Sequence, residues 1–274
     1  MTASPAGASA FFHKRFREVG TPARAKHDQA YLKSDQLFYG ASVPEIRRAG
    51  ADYWRDHREL TRTELRVIVT ALYASKWYER RSVAIALLGH YGELVRDADL
   101  PWLVGLVRRS NTWAHVDWLA ADIIGGVVER HPAGLKRLPG WAVDKSFWVR
   151  RTALLAQLGT LSRGGGDFRL FARLASGMAD EKEFFIRKAI GWVLREVSKQ
   201  RPELAFAFLR DHRGRVSGLT MGEGAKYLPA AMRMQLGLPA KAAWQIRDER
   251  ELSVSIDSAE GLPARRAPGG VGRG

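Results

Sequence analysis

Four segments of this sequence align without gaps: RSVAIALLG (81–89), DWLAADIIG (117–125), RTALLAQLG (151–159) and RKAIGWVLR (187–195). Their starts are 36, 34 and 36 residues apart. Each reads as a helical stretch that ends in Leu or Ile followed by Gly or Arg. Further helical patterns lie between them, LPWLVGLVRRS (100–110) and FRLFARLASGM (168–178), set off by breakers such as HPAGLKRLPG and SRGGGD. Strand-like alternation is nearly absent. A helix pair recurring at this period cannot bury its apolar face alone and must stack on its neighbours, which makes an α-solenoid. The period lies between about 34 residues for tetratricopeptides and roughly 40–47 for HEAT and armadillo units, and no W-x-x-L-G-x-x-Y signature is present. The sequence therefore predicts an all-α fold, a right-handed α-solenoid of short HEAT-like helix-pair repeats with a concave basic groove.

The repeats also carry the chemistry. In SNTWAHVDWLAADIIGG (110–126) and the residue after it, Val116, Leu119, Ala120, Ile123 and Val127 follow the i, i+3, i+4, i+7 spacing of an amphipathic helix. Ser110, Asn111 and Thr112 are its candidate N-caps. Trp113 and Asp117 stand four apart and so share one face. The aligned first positions are Arg81, Asp117, Arg151 and Arg187, preceded by the aromatics Trp77, Trp113, Phe147, Trp148 and Phe184. Equivalent positions of a solenoid line one surface, so this reads as an arginine row interleaved with aromatics, the composition of a groove that tracks phosphates. Arg81, Arg150, Arg187 and Lys188 are the candidate phosphate contacts. One carboxylate stands in the row. Its structural reading is a salt bridge from Asp117 to a neighbouring arginine. An anion beside DNA phosphate is repulsive, however, so the repeat argument favours a functional charge.

Composition bounds the partner. The 274 residues hold 44 Lys+Arg against 29 Asp+Glu, a net charge of +15, with 46% hydrophobic residues. Such a chain buries a sizeable core, as one large domain or two ordinary ones. A cationic excess of this size points to nucleic acid. Nine tryptophans suit both a core and base stacking. The absence of cysteine removes disulfides, zinc ribbons, iron–sulfur clusters and thiol nucleophiles. No H-E-x-x-H or H-x-x-E-H spacing occurs, so neither metal nor cofactor is expected. MTASPAGASA has no basic segment followed by a long apolar one, and no apolar run approaches the length of a membrane span. The expected location is the cytoplasm, nucleoid-associated through DNA, with no membrane contact. Residues 1–10 are rich in Ala, Ser, Pro and Gly, and the tail GLPARRAPGGVGRG (261–274) has too few apolar side chains to pack. The expected organisation is a disordered stretch at 1–10, a repeat domain at 11–230 and a C-terminal extension at 231–274, disordered at its end.

Trp113-x-x-x-Asp117, FWVRRTALLAQL (147–158) and FFIRKAIGWVLREVSKQRP (184–202) resemble the AlkD family of HEAT-like-repeat DNA glycosylases, which repair alkylated DNA. AYLKSDQLFYGASVPEIRR (30–48) is similar to the family's first helices, and SGLTMGEGAKYLP (217–229) to its C-terminal end. The inserted GGG at 164–166 and the segment from 231 depart from the pattern. The resemblance implies a catalytic trio of Trp113, Asp117 and Arg151, with Trp192 and Tyr31 as further aromatics of the cleft. Trp77, in the aromatic series above, is the third candidate for substrate contact. The resemblance also implies action on double-stranded DNA containing alkylated bases, without drawing the base into a pocket; a monomer is expected.

The chemistry agrees. N3- and N7-alkylpurines such as 3-methyladenine and 7-methylguanine are cationic and leave as neutral molecules. The deoxyribose meanwhile develops oxocarbenium charge, which a fixed carboxylate stabilises. In this reading Asp117 serves that charge, Trp113 and Trp192 offer π faces, and Arg151 holds a backbone phosphate. No lysine aligns as a Schiff-base nucleophile, so a monofunctional glycosylase without strand cleavage is expected. Asp122, one helical turn on, is the next carboxylate in line. Two rivals are weighed against this. LPGW (138–141) is similar to the start of a helix-hairpin-helix glycosylase but reads more simply as an inter-helix turn. A catalytically inactive HEAT-repeat scaffold that binds DNA or protein is the other, and it gives Asp117 no task.

Overall fold

Short polar residues start the helices. Ser4, Thr21 and Thr112 each accept a backbone N–H two or three residues on, and Ser42 with Glu45 and Thr61 with Glu64 close reciprocal capping boxes. The computed structural model describes residues 4–241. Its first half comprises α1 (Pro5–Val19), α2 (Pro22–Leu32), α3 (Val43–Asp56), α4 (Arg62–Tyr73), α5 (Tyr78–His90), α6 (Leu100–Arg108), α7 (Trp113–Asp117) and α8 (Gly125–Arg130). The second half comprises α9 (Leu138–Ala142), α10 (Phe147–Leu155), α11 (Leu158–Ser162), α12 (Phe168–Gly177), α13 (Phe184–Ser198), α14 (Pro202–Asp211), α15 (Gly218–Gly224) and α16 (Ala230–Gln235). Among the described residues there is no strand, and an isolated parallel bridge joins Leu37 to Trp77. No described helix is long and apolar enough to cross a membrane.

The helices pack in sequence: α3 and α4 on α5, α10 on α13, α13 on α15. One interior runs from Phe12, Phe16 and Tyr53 through Tyr73 to Phe171 and Leu209. Full burial of such a side chain contributes about 1.5–3 kcal/mol. Glu79 is buried in it and accepts the N–H groups of Tyr39, Gly40 and Ala41 at 3.1, 2.7 and 3.2 Å. Burial pushes its carboxyl upward and these bonds oppose the shift. They pin the linker after α2, the helix that carries Tyr31. Gly40 sits there at φ +82, where a Cβ would meet Thr21 O at 2.1 Å, so no other residue fits.

Three expectations change. Residues 5–10 are not disordered: Pro5 follows the Ser4 cap, alanines continue the helix, and Ala8 is fully buried. The packed unit does not stop at 230 either. Buried Arg233 donates to Ala225 O at 2.6 Å and Pro239 O at 2.9 Å, and Leu236 is buried beside them. LPGW is no turn but opens the short helix α9, and the preceding Pro132–Arg137 forms a 3-10 helix. Residues 1–3 and the Gly/Pro/Arg tail lie outside the described residues.

The arginine row of the alignment divides in two. Counted from the first residue of each helix, Arg81, Arg150 and Arg187 are fourth in α5, α10 and α13, whereas Asp117 is fifth in α7. Side-chain bonds support that count. Arg81 Nε donates to Ser75 O at 2.7 Å, Arg150 Nη1 to Asp144 O at 2.8 Å and Arg187 Nε to Glu181 O at 2.7 Å, each six residues back across a helix start. Asp117 belongs with Ser82, Arg151 and Lys188, the fifth residues of their helices. Fully buried Val116 holds the arginine position in α7. The carboxylate therefore does not replace an Arg81-type arginine. Matching nine-residue segments does not register where each helix begins.

Candidate functional site

Thr112, in extended conformation, caps α7 and sets Trp113 as its first helical residue. One turn later comes Asp117. Between them His115 points inward: it is fully buried, its ring stacks on Tyr78 at 4.5 Å, and Nε2 meets Ser82 Oγ at 2.9 Å. Burial pushes its pKa down to about 3, so it is a neutral peg that fixes the rotation of α7. After Asp117 the helix continues without a break as a π stretch, Trp118–Ile124, into α8. Gly125 N–H reaches back five residues to Ala120 O. π turns are rare and concentrate at functional sites. The i, i+3, i+4 pattern of this segment gave no sign of one.

Arg151 of α10 holds Asp117 through both carboxylate oxygens, Nε to Oδ1 at 2.7 Å and Nη2 to Oδ2 at 2.8 Å. Its Nη1 donates to Phe185 O, and its guanidinium lies 5.7 Å from the Phe185 ring centroid. The salt bridge weighed as the structural reading of Asp117 is thus present. It is not sealed in the core, however. The Arg151 side chain is 3% exposed, but Asp117 is 15% exposed and lines an open cleft of about 920 Å³. A carboxylate has about four lone-pair sites, so two remain after Arg151. Arg151 itself is too buried for the phosphate contact expected of it; its task in this geometry is to fix Asp117.

Of the other site candidates, Tyr31, Trp113, Trp192 and Lys188 line the same cleft. Tyr31 is 65% exposed and meets Trp113 edge-on, with centroids 5.9 Å apart. Trp77 is not brought there; it stacks on Tyr39 at 3.8 Å and belongs to the linker packing. Arg81, Arg150 and Arg187 do not line the cleft either. Arg150 pairs through two nitrogens with Glu181, and burial pulls the Arg81 pKa down. Three residues that sequence reasoning did not single out complete the wall. Arg195 shares Glu223 with Lys188, at 2.5 and 2.6 Å. Phe185 supplies the carbonyl under Arg151. Lys33 lines the cleft in a left-handed conformation, φ +48, where glycine is usual. Lys33 and Arg195 stood in quoted motifs, but nothing local told them from surface charges.

The arrangement is a carboxylate, oriented by a buried guanidinium, at an aromatic-walled opening with lysines beside it. Such a site can stabilise a cation and hold a polyanion.

The model of a family described as DNA alkylation repair enzyme matches residues 12–228. Among solved structures, a predicted DNA alkylation repair enzyme from Enterococcus faecalis is 26% identical, with TM-score 0.67 over 77% of this chain and 97% of that one. AlkD2 from Streptococcus mutans is 16% identical, with TM-score 0.53 over 74% and 99% of the two chains. The protein smu.31 from Streptococcus mutans UA159 is 17% identical, with TM-score 0.54 over 68% and 92%. The last two likenesses concern the fold alone. No curated protein matches the chain.

Proposed function

The chain belongs to the DNA alkylation repair enzyme family, and from that premise we propose that it is a monofunctional DNA glycosylase. Its substrates in this reading are cationic alkylated purines, 3-methyladenine and 7-methylguanine, in double-stranded DNA. It hydrolyses their N-glycosidic bond without drawing the base into a pocket. One observation carries the reading: Asp117, fixed by Arg151, opens onto a cleft walled by Tyr31, Trp113 and Trp192.

Alkylation has already made the purine a cation, so it departs as a neutral base with the C1′–N electron pair. Positive charge then develops on the deoxyribose. The carboxylate of Asp117 stabilises that charge, and loss of one such preorganised partner typically costs about 3–4 kcal/mol. Trp113 and Trp192 offer π faces to the cationic nucleotide. Arg151 keeps the carboxylate aimed, while Lys188, Lys33 and Arg195 meet phosphate. A right-handed HEAT-like solenoid with a concave basic groove, working as a monomer on cytoplasmic or nucleoid DNA, completes the proposal.

The closed Asp117–Arg151 pair also suits an inactive DNA-binding scaffold. A base-release assay separates the two. Purified protein should free 3-methyladenine and 7-methylguanine from methylated duplex, with no effect of chelator, and leave uracil in place. Tight DNA binding without alkylpurine release would establish the scaffold. Efficient uracil excision would refute the mechanism, because a neutral leaving base needs acid help that this site lacks.

A further inference from the structure

Both oxygens of Asp117 accept charge-assisted bonds from Arg151, which occupies two of the lone pairs that could take a proton. The attacking water must nevertheless lose one. A second carboxylate stands close by. In an α-helix, residues five apart point about 140° away from each other. A π turn closes at i+5 and brings them onto one face. The π stretch Trp118–Ile124 begins directly after Asp117 and contains Asp122. Both side chains line a compartment of about 610 Å³ that adjoins the main cleft through Tyr31, Trp113 and Trp192.

Among the described residues Asp122 makes no hydrogen bond or salt bridge. The charged and titratable groups around its compartment are Arg24, His27, Asp28 and Tyr31 of α2, Arg47 of α3 and Tyr78 of α5, besides Asp117. Arg24 and His27 are turned onto Asp28 at 3.2 and 2.9 Å. Arg47 lies over the Trp118 ring at 5.4 Å. No described residue therefore ties down the Asp122 lone pairs.

We propose that Asp122 accepts the proton of the water that attacks C1′, a role that rests on the glycosylase reading. The water oxygen bonds to C1′, the C1′–N bond breaks, and its electron pair leaves on the neutral purine. The water proton passes to the Asp122 carboxylate and from there to solvent. Asp117 then stabilises charge and Asp122 exchanges a proton, two carboxylates whose surroundings give them different tasks. Asp122 is exposed at the cleft wall; partial desolvation there pushes its carboxyl above the ordinary aspartate value, with Arg47 opposing.

Single-turnover excision of 7-methylguanine by the full chain tests this across pH. A base works deprotonated, so the wild-type rate should fall as pH drops through the raised pKa of Asp122. Asp122→Asn should slow excision about 10²-fold at neutral pH, leave affinity for the alkylated duplex within about twofold, and remove the acid limb. Asp122→Glu should restore part of the rate, with its acid limb displaced. Wild-type excision by Asp122→Asn, or slow excision that keeps the acid limb, overturns the assignment. Should Asp122→Asn fail to fold, Asp122→Glu decides alone: a displaced limb supports the role and an unmoved one overturns it. A wild-type protein that frees no alkylated base overturns the glycosylase reading, and this assignment with it.

Discussion

The fourth-position arginines, Arg81, Arg150 and Arg187, and the fifth-position side chains, Ser82, Asp117, Arg151 and Lys188, are neighbours in sequence that face different parts of the molecule. The arginines turn back onto carbonyls of the preceding linker, at Ser75, Asp144 and Glu181. The fifth positions join side chains of neighbouring repeats: Ser82 with His115, Asp117 with Arg151, Lys188 with Glu223. They line the cleft or its side compartment, and the arginines do not. A single residue is a 100° step around a helix. That step separates side chains that lock linkers from side chains that can meet a substrate, although both rows are cationic and both repeat.

The largest effect should come from the centre of the fifth row. Asp117→Asn keeps size and deletes charge, so excision should fall by about two orders of magnitude or more. Affinity for alkylated duplex, measured by titration, should hold or rise because a phosphate-repelling charge has gone. Near-normal excision would break the comparison outright. Arg151→Gln comes next and should act on the fold as well. It leaves a partly buried carboxylate unpaired, and urea unfolding should show a loss of about 3 kcal/mol. Unchanged stability would mean that the pair is dispensable.

The smallest effects sharpen the boundary between the rows. Arg187→Ala removes a charged bond to one linker carbonyl and should cost about 1.5 kcal/mol of stability. Its salt dependence of DNA binding should match wild type. Lys188→Ala should do the reverse, with stability near wild type because Glu223 keeps Arg195. The log–log slope of affinity against salt should shrink by about 0.9, one phosphate contact. Equal slopes in the two variants would erase the distinction between the rows.

Much of this was legible from local signals. Apolar periodicity gave the helices around Val116 and Val193, and Thr112 was among the caps read for α7. The four-residue spacing of Trp113 and Asp117 placed them on one face. The failures share a cause. Whether Arg81 or Ser82 corresponds to Asp117 depends on where each helix begins, which a match of nine-residue segments leaves open. The Ser-Pro start of α1 was overshadowed by the Ala/Ser/Pro/Gly-rich composition of residues 1–10.

The sequence by itself determined the helical periods, the cationic excess and the residue types available to a site, because each follows from side chains in one short window. Only the tertiary structure decided which of those residues meet. Burial against Phe185 turned Arg151 from a phosphate ligand into the clamp on Asp117. The linker packing drew Trp77 onto Tyr39 and away from the cleft. A π turn after Asp117 carries Asp122 into the compartment that Asp117 also lines. Each outcome depends on contacts between segments far apart in the chain, or on one hydrogen-bonded turn that closes a residue late, and neither leaves a mark in the local pattern of residues.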